Sequence, residues 1–572
     1  MLKCAAVFSD SMVLQRGKTT AFFGEGEPGK NIEVSIIADN DKEPESKIIS
    51  GTSATVDGDG KWIAGVPAIE HYMNDLSVTV KCDRECIRFD DVAVGEVFLA
   101  GGQSNMEREM GTALDGRAVL RAVEETGSNT GSTTDIDMET VRRVRFYYTR
   151  KRSYFDERFY EDEANNAWQK CGSEWMKAWS AVGFFFAYKL AAELGCTVGI
   201  LGCNWGGTSA ACWMGREDLL ARESTRIYVD EYDASPDVAG KSEAEQIREY
   251  EEYVAFHEEW DRKAGMLYAE NPQISWDEVQ ERLGKCRYPG PMNCGSFLRP
   301  YGLYETMIKR VAPYTVRGFI YYQGENDDHR PEAYFDMMQA LTACWRREFN
   351  DPSAAFILTQ LPMHKYSADP DWKNWPLVRE AQMKAARSIP QVGAAVIIDQ
   401  GEFNEIHPLY KRRVGERLAL QALWKVYGKI GEEEACGPAA VGAVRTGEGT
   451  AEIEFENCTY LQSIERLYGD CTYDERIRNA ESAKETYAAG EIPGFELAGT
   501  DGVYYPAGAV ICGDDGNRIR VSSEKVGEPA AVRYLWTNYG EVSLYGEVKP
   551  CIGEPLPVAP FRIDVGQAVA DR

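Results

Sequence analysis

The chain has 572 residues, 44% of them hydrophobic and 11% aromatic, which is too long for one core and leads us to expect two to four domains. Its formal net charge of −28 repels phosphate backbones and argues against nucleic acid as a partner, and no apolar run is long enough to span a bilayer. The start, MLKCAAVFSD, lacks a charged-then-apolar signal segment, so a cytoplasmic protein is expected; the 15 cysteines, an odd number without a C-x-x-C pair, read as free thiols in a reducing compartment.

Residues 1–92 read as an N-terminal β-domain. Short β-prone runs surround the turn cluster Glu27-Pro28-Gly29-Lys30, and GKWIAGVPAI and LSVTVKC continue the pattern. From 93 to 427 the apolar runs EVFLA, TVGILG, VRGFIYY, AAFILTQ and GAAVIID alternate with helical segments. One of these, PEAYFDMMQALTACWRREF, carries Pro331 in its first turn and sets Tyr334, Met338, Leu341 and Trp345 on one face. Such alternation predicts a parallel sheet with helices on both sides, an α/β fold. A helical insertion at about 215–300 interrupts it, with Ser242 and Glu245 spaced as a capping box; its acidic residues read as a solvated face. Residues 428–572 return to strand runs between Gly and Asp turns and read as a C-terminal β-domain.

In open parallel sheets, ligands bind outside the carboxyl ends of the strands. Ser104 follows one such run, Gly206 and Gly207 follow a second, Gln323 to Asp327 (QGEND) a third, and His407 a fourth. A hydroxyl, an imidazole, backbone amides and side-chain amides on one rim are the parts acyl transfer needs. Serine is a poor nucleophile until a base takes its proton, histidine is the base suited to neutral pH, and the tetrahedral oxyanion requires fixed N–H donors. Each part has a plainer reading: a turn serine, a common Gly-Gly turn, a packed histidine, and in ENDDH a solvated acidic loop. His364 reads as a pocket residue with no evident acid, and His329 as a surface-loop residue. The four segments together are more specific than any one. The serine does not sit in a G-x-S-x-G elbow, because Met106 stands where the second glycine would be.

VFSDSMVLQR, GEGEPGK, VGEVFLAGGQSNME, NWGGTSAACWM, RGFIYYQGEND, WPLVREAQ, NEIHPLYKRRVGERLAL and AAVRYLWTNY, in this order, resemble the sialate O-acetylesterases, a carbohydrate-esterase branch of the SGNH hydrolases. The resemblance implies a flavodoxin-like, three-layer α/β/α SGNH domain flanked by β-domains. It also implies a serine esterase that removes O-acetyl groups from sugars without metal or cofactor. Ser104 would be the nucleophile and His407 the base. The Ser104 N–H, an amide of Gly206 or Gly207, and Gln323 or Asn326 would line the oxyanion hole. SGNH enzymes place an aspartate three residues before the histidine, and here that position is Asn404. Glu405 is the first candidate for the third member, then a dyad steadied by Asn404 or a backbone carbonyl, then Asp399.

The carboxylate of sialic acid calls for a cation, with Arg108 and Arg379 as candidates, whereas an acetylated plant sugar such as xylan does not. Trp205, Trp213 and Tyr322 are placed to stack on a sugar, although packing is the commoner use of such aromatics. A non-catalytic carbohydrate-binding protein and a glycosidase using Glu325 and Glu405 rank behind the esterase.

Overall fold

The computed structural model describes residues 1–38, 47–125, 136–271, 274–464 and 492–567. The chain is a mixed α/β protein. Its central sheet runs, in space, Gln169–Lys170, Val144–Tyr148, Val198–Asn204, Glu85–Gly102, Gly318–Tyr322, Ala355–Gln360, Val392–Val396. All neighbours pair in parallel except the first two strands, which are antiparallel. The strands from Val198 to Gln360 are buried along their length, as near-continuous Val/Ile/Leu/Phe runs require of strands covered on both faces.

The covering helices come in two groups. Ala181–Leu194 packs on Arg412–Lys425, and Tyr334–Glu348 packs on Asn374–Ser388. Ser180 caps the first helix by accepting the Gly183 N–H at 3.0 Å, and Gly195 ends it with φ +67°. The two helices of the first pair approach closely because position 415 is glycine: a Cβ there would lie 2.7 Å from Phe185 Cβ and the Val182 carbonyl. Tyr334, Met338, Leu341 and Trp345 are all buried, as their helical spacing predicts.

The Glu85–Gly102 strand is shared. Its first half pairs antiparallel with Met73–Cys82, and its second half pairs in parallel with Val198–Asn204 and Gly318–Tyr322. The boundary expected at 92/93 therefore lies inside one strand of 18 residues. The stretch beyond 439 forms an eight-stranded sheet from Ala439–Gly447 to Phe561–Gln567 and a small three-stranded one. Met363 and Ile398 lie in its hydrophobic core, so that core continues into the segments bearing the candidate site. The insertion contains a 28-residue helix, Glu243–Glu270, opened by the Ser242–Glu245 capping box. No helix among the described residues is long and apolar enough to cross a membrane.

Candidate active site

At its carboxyl end the Glu85–Gly102 strand lies between Val198–Asn204 and Gly318–Tyr322, both later in the chain, so this end is a switch point, the place where ligands bind in such sheets. Gly102 has φ +133°, and a Cβ there would lie 2.0 Å from the Tyr322 carbonyl; only glycine allows the chain to leave the strand at this angle. Gln103 N–H then donates to that carbonyl (3.1 Å), and the short helix Ser104–Glu107 begins.

Ser104 Oγ is 2.8 Å from His407 Nε2, a hydrogen bond between residues 303 positions apart. His407 is half-buried. Burial lowers its pKa below the ordinary value, with Lys411 and Arg108 acting in the same direction and Glu405 and Glu107 opposing. The imidazole is thus neutral at pH 7 and able to accept the serine proton.

Of the three candidates for orienting the ring, none hydrogen-bonds to it. Glu405 Oε1 accepts the backbone N–H of His407 (2.7 Å) and lies 3.7 Å from Nδ1, beyond hydrogen-bond reach. Asn404, at φ +62°, accepts the Ser367 N–H instead. Asp399 is buried in a bidentate pair with Arg417, at 2.5 and 2.9 Å.

The oxyanion candidates divide similarly. The Gly206 N–H is occupied by Glu107 Oε2, whose carboxylate also takes Lys151. What position 206 contributes is closeness: a Cβ there would sit 3.2 Å from Ser104 Cβ. The Gly207 N–H has no partner among the described residues, and neither does that of Ser104, at the start of its helix. Gln323 is fully engaged. Its Nε2 donates to Asp327 Oδ2 (2.6 Å), to Gln103 Oε1 and to the Thr208 carbonyl, which removes it from the available donors. Asn326 gives its N–H to Gln103 Oε1 and keeps an exposed side chain.

Arg108 and Arg379 part company as well. Arg108 forms no ion pair among the described residues and only a long contact (3.4 Å) to the Thr112 carbonyl, and its Nε is buried without a partner. Its charge reaches both His407 and Glu402. Arg379 is wholly buried and donates to the carbonyls of Leu361, Pro362, Thr537 and Asn538. That corrects its expected place as a substrate ligand: four of its five N–H groups are taken by carbonyls and none of the residue is exposed to a sugar. Trp205 is half-buried with one face stacked on Phe297, ring centroids 4.6 Å apart. Trp213 and Tyr322 are buried in the core.

The QGEND segment is not the solvated loop its charge suggests. Glu325 and Asp327 are both buried, and Asp327 accepts from Ser209 Oγ, the Ala210 N–H, Gln323 Nε2 and Tyr228 OH. His364 is buried beside Trp375 and Tyr366 with Nδ1 3.3 Å from the Glu402 carbonyl. The sequence reading passed over Asn105, next to Ser104, and Lys411, both buried and hydrogen-bonded to each other. The signal for Asn105 was its place beside a strand-end serine; for Lys411 there was none.

A family model described as carbohydrate esterase, sialic acid-specific acetylesterase, matches residues 290–423. Sialate O-acetylesterases of Rattus norvegicus and Homo sapiens are each 23% identical, over 456 and 452 residues; the match covers 74% of this chain and 73% and 71% of theirs. The crystal structure of a carbohydrate acetylesterase from Xanthomonas citri is similar at TM-score 0.65 and 25% identity, covering 98% of this chain and 99% of that one. The family model, the relatives over most of their length and the structural neighbour agree: the chain is similar to the sialate O-acetylesterases and other carbohydrate acetylesterases, and is a carboxylic ester hydrolase.

Proposed function

We propose that the protein is a serine O-acetylesterase acting on sialic acid through an acetyl-enzyme. The observation that carries this is the 2.8 Å contact between Ser104 Oγ and His407 Nε2 at the sheet's switch point. In this scheme Ser104 Oγ attacks the acetyl carbonyl while His407 Nε2 takes its proton. The oxyanion is received by the N–H groups of Ser104 and Gly207 and by the Asn326 amide. As the intermediate collapses, the imidazolium returns the proton to the departing sugar oxygen. Water, deprotonated by the same nitrogen, then attacks the acetyl-serine and releases acetate. The free amides support this assignment, each such donor being worth about 3–4 kcal/mol of barrier.

Glu405 is the nearest carboxylate to the ring and favours the imidazolium through space rather than through a hydrogen bond. For the substrate, Arg108 is the supporting feature: a guanidinium beside the base, without a carboxylate of its own, suits a sugar that carries one. The strand order, the two helix groups and the β-rich stretches at either end support reading the whole as a flavodoxin-like SGNH domain with β-domains before and after it.

The test is acetate release from O-acetylated sialic acid and from acetylated xylan, by the wild type and by Ser104→Ala. Sialate deacetylation abolished in Ser104→Ala is expected. Turnover that survives the substitution refutes the nucleophile, and a wild type faster on xylan refutes the substrate.

A further inference from the structure

Behind the reacting pair, one amide links the two elements that carry it. Asn105 is 1% exposed and its side chain is bonded on both sides. Nδ2 donates to Glu325 Oε1 (2.6 Å) and to the Ile406 carbonyl (2.9 Å), and Oδ1 accepts from Lys411 Nζ (2.6 Å). Turning the amide over would set its NH2 against the Lys411 amino group and its oxygen against the Glu325 carboxyl, so these two partners fix its orientation. Asn105 directly follows Ser104, and the carbonyl it holds belongs to the residue directly before His407.

The ring of His407 has no carboxylate within hydrogen-bond distance among the described residues. Glu405 holds the backbone N–H and stands off from Nδ1, Asn404 turns to Ser367, and Asp399 is bound to Arg417. We propose that Asn105 is a positioning residue of the hydrolysis: its amide straps the serine helix to the histidine loop and sets the separation of Ser104 Oγ and His407 Nε2, the task an orienting aspartate performs in a three-membered triad. The proposal rests on the Ser104–His407 reading above.

The test measures kcat and KM on an aryl acetate for Ser104→Ala, Asn105→Ala, Asn105→Asp and Glu405→Gln, with circular dichroism and melting curves for each. Asp at 105 keeps the size and an acceptor for Lys411 but has no N–H for the Ile406 carbonyl. Asn105→Ala and Asn105→Asp are expected to lose about 100-fold or more in kcat with KM within threefold, while keeping the wild-type dichroism. A kcat for Asn105→Asp within threefold of wild type overturns the strap. Glu405→Gln, at a part-exposed site where folding is not at risk, is expected to lose no more than about tenfold. Removing the acid of a working triad costs about 10⁴. A loss above 10³ there returns the orienting task to Glu405 and overturns the proposal even if neither Asn105 variant folds. An active Ser104→Ala refutes the underlying reading, an outcome distinct from any of these.

Discussion

Glu402 opens the loop that carries His407, and its carboxyl has one oxygen, Oε1, buried without a partner. Burial, with the charge of Glu405 adding to it, pushes the group up to about 7; a backbone bond from Leu409 and the charges of Lys411 and Arg108 oppose. Because the native carboxyl ionises at higher pH than the unfolded one, the unfolded state sheds its proton first. Glu402 therefore has no effect on stability below about pH 4.5, costs progressively more as pH rises to about 7, and costs a constant amount above that. The interval from 4.5 to about 7 corresponds to about 3.4 kcal/mol at 1.36 kcal/mol per pH unit. Solvent reaches part of the group, which reduces this to about 1.5–2 kcal/mol. Glu402→Gln removes the ionisation while keeping the shape. Melting of the two proteins by calorimetry from pH 4 to 8 should show a difference that grows in the variant's favour by about 1–3 °C across the interval and is flat on either side. A difference independent of pH, or one that moves against the variant as pH rises, refutes the reasoning.

Three further outcomes follow from the same site. The pH profile of kcat/KM on an aryl acetate should have its acid limb below pH 6.5, because burial outweighs the carboxylates around His407; Glu405→Gln should move the limb lower still and Arg108→Gln should move it higher. Arg108→Gln should lower kcat/KM on O-acetyl sialic acid about 10- to 100-fold more than on an aryl acetate, the range for one charge-assisted hydrogen bond. Gly206→Ala should reduce kcat at least tenfold without unfolding the protein, since its Cβ would press on Ser104 Cβ and on Glu107 from 3.2 Å.

The sequence made the scaffold legible because burial on both faces leaves unbroken apolar runs, and the residues after those runs are the rim of the crevice. Ser104 and His407 were found in that way, and the geometry unites them. What could not be read was burial of charge. Three acidic residues in ENDDH look solvated until the fold places Glu325 and Asp327 inside and supplies their donors from segments more than a hundred residues away. The choice between Gly206 and Gly207 depended on which N–H Glu107 captured, a contact between two strand ends that no local spacing reports. The expected boundary at 92/93 followed a change in residue pattern, but the chain crosses it inside a single strand, kinked at Asp91 (φ +55°), so the antiparallel and parallel pairings share one strand.

Arg379 makes the case for long-range design most directly. From sequence it is a helix arginine near a motif; in the fold it ties the Leu361 and Pro362 carbonyls to those of Thr537 and Asn538. The same Asn538 carbonyl takes the His364 N–H, the His364 ring meets the Glu402 carbonyl, and Tyr539 packs on Phe403 at 5.1 Å. The C-terminal β-rich stretch therefore forms the back wall of the histidine loop, and Arg379 is its rivet. Burial pulls this guanidinium down to about 9 against the opposing charge of Asp371, so its charge is held at a cost that the four carbonyls and Asp371 offset. Arg379→Leu leaves three of them without a donor, Asn538 keeping the His364 N–H, and at about 1 kcal/mol or more each the loss is about 3–5 kcal/mol. Urea denaturation should show that loss. In the folded protein kcat should fall as the loop loosens, with KM for O-acetyl sialic acid within threefold. A variant of undiminished stability with KM raised tenfold would instead mean that Arg379 binds substrate.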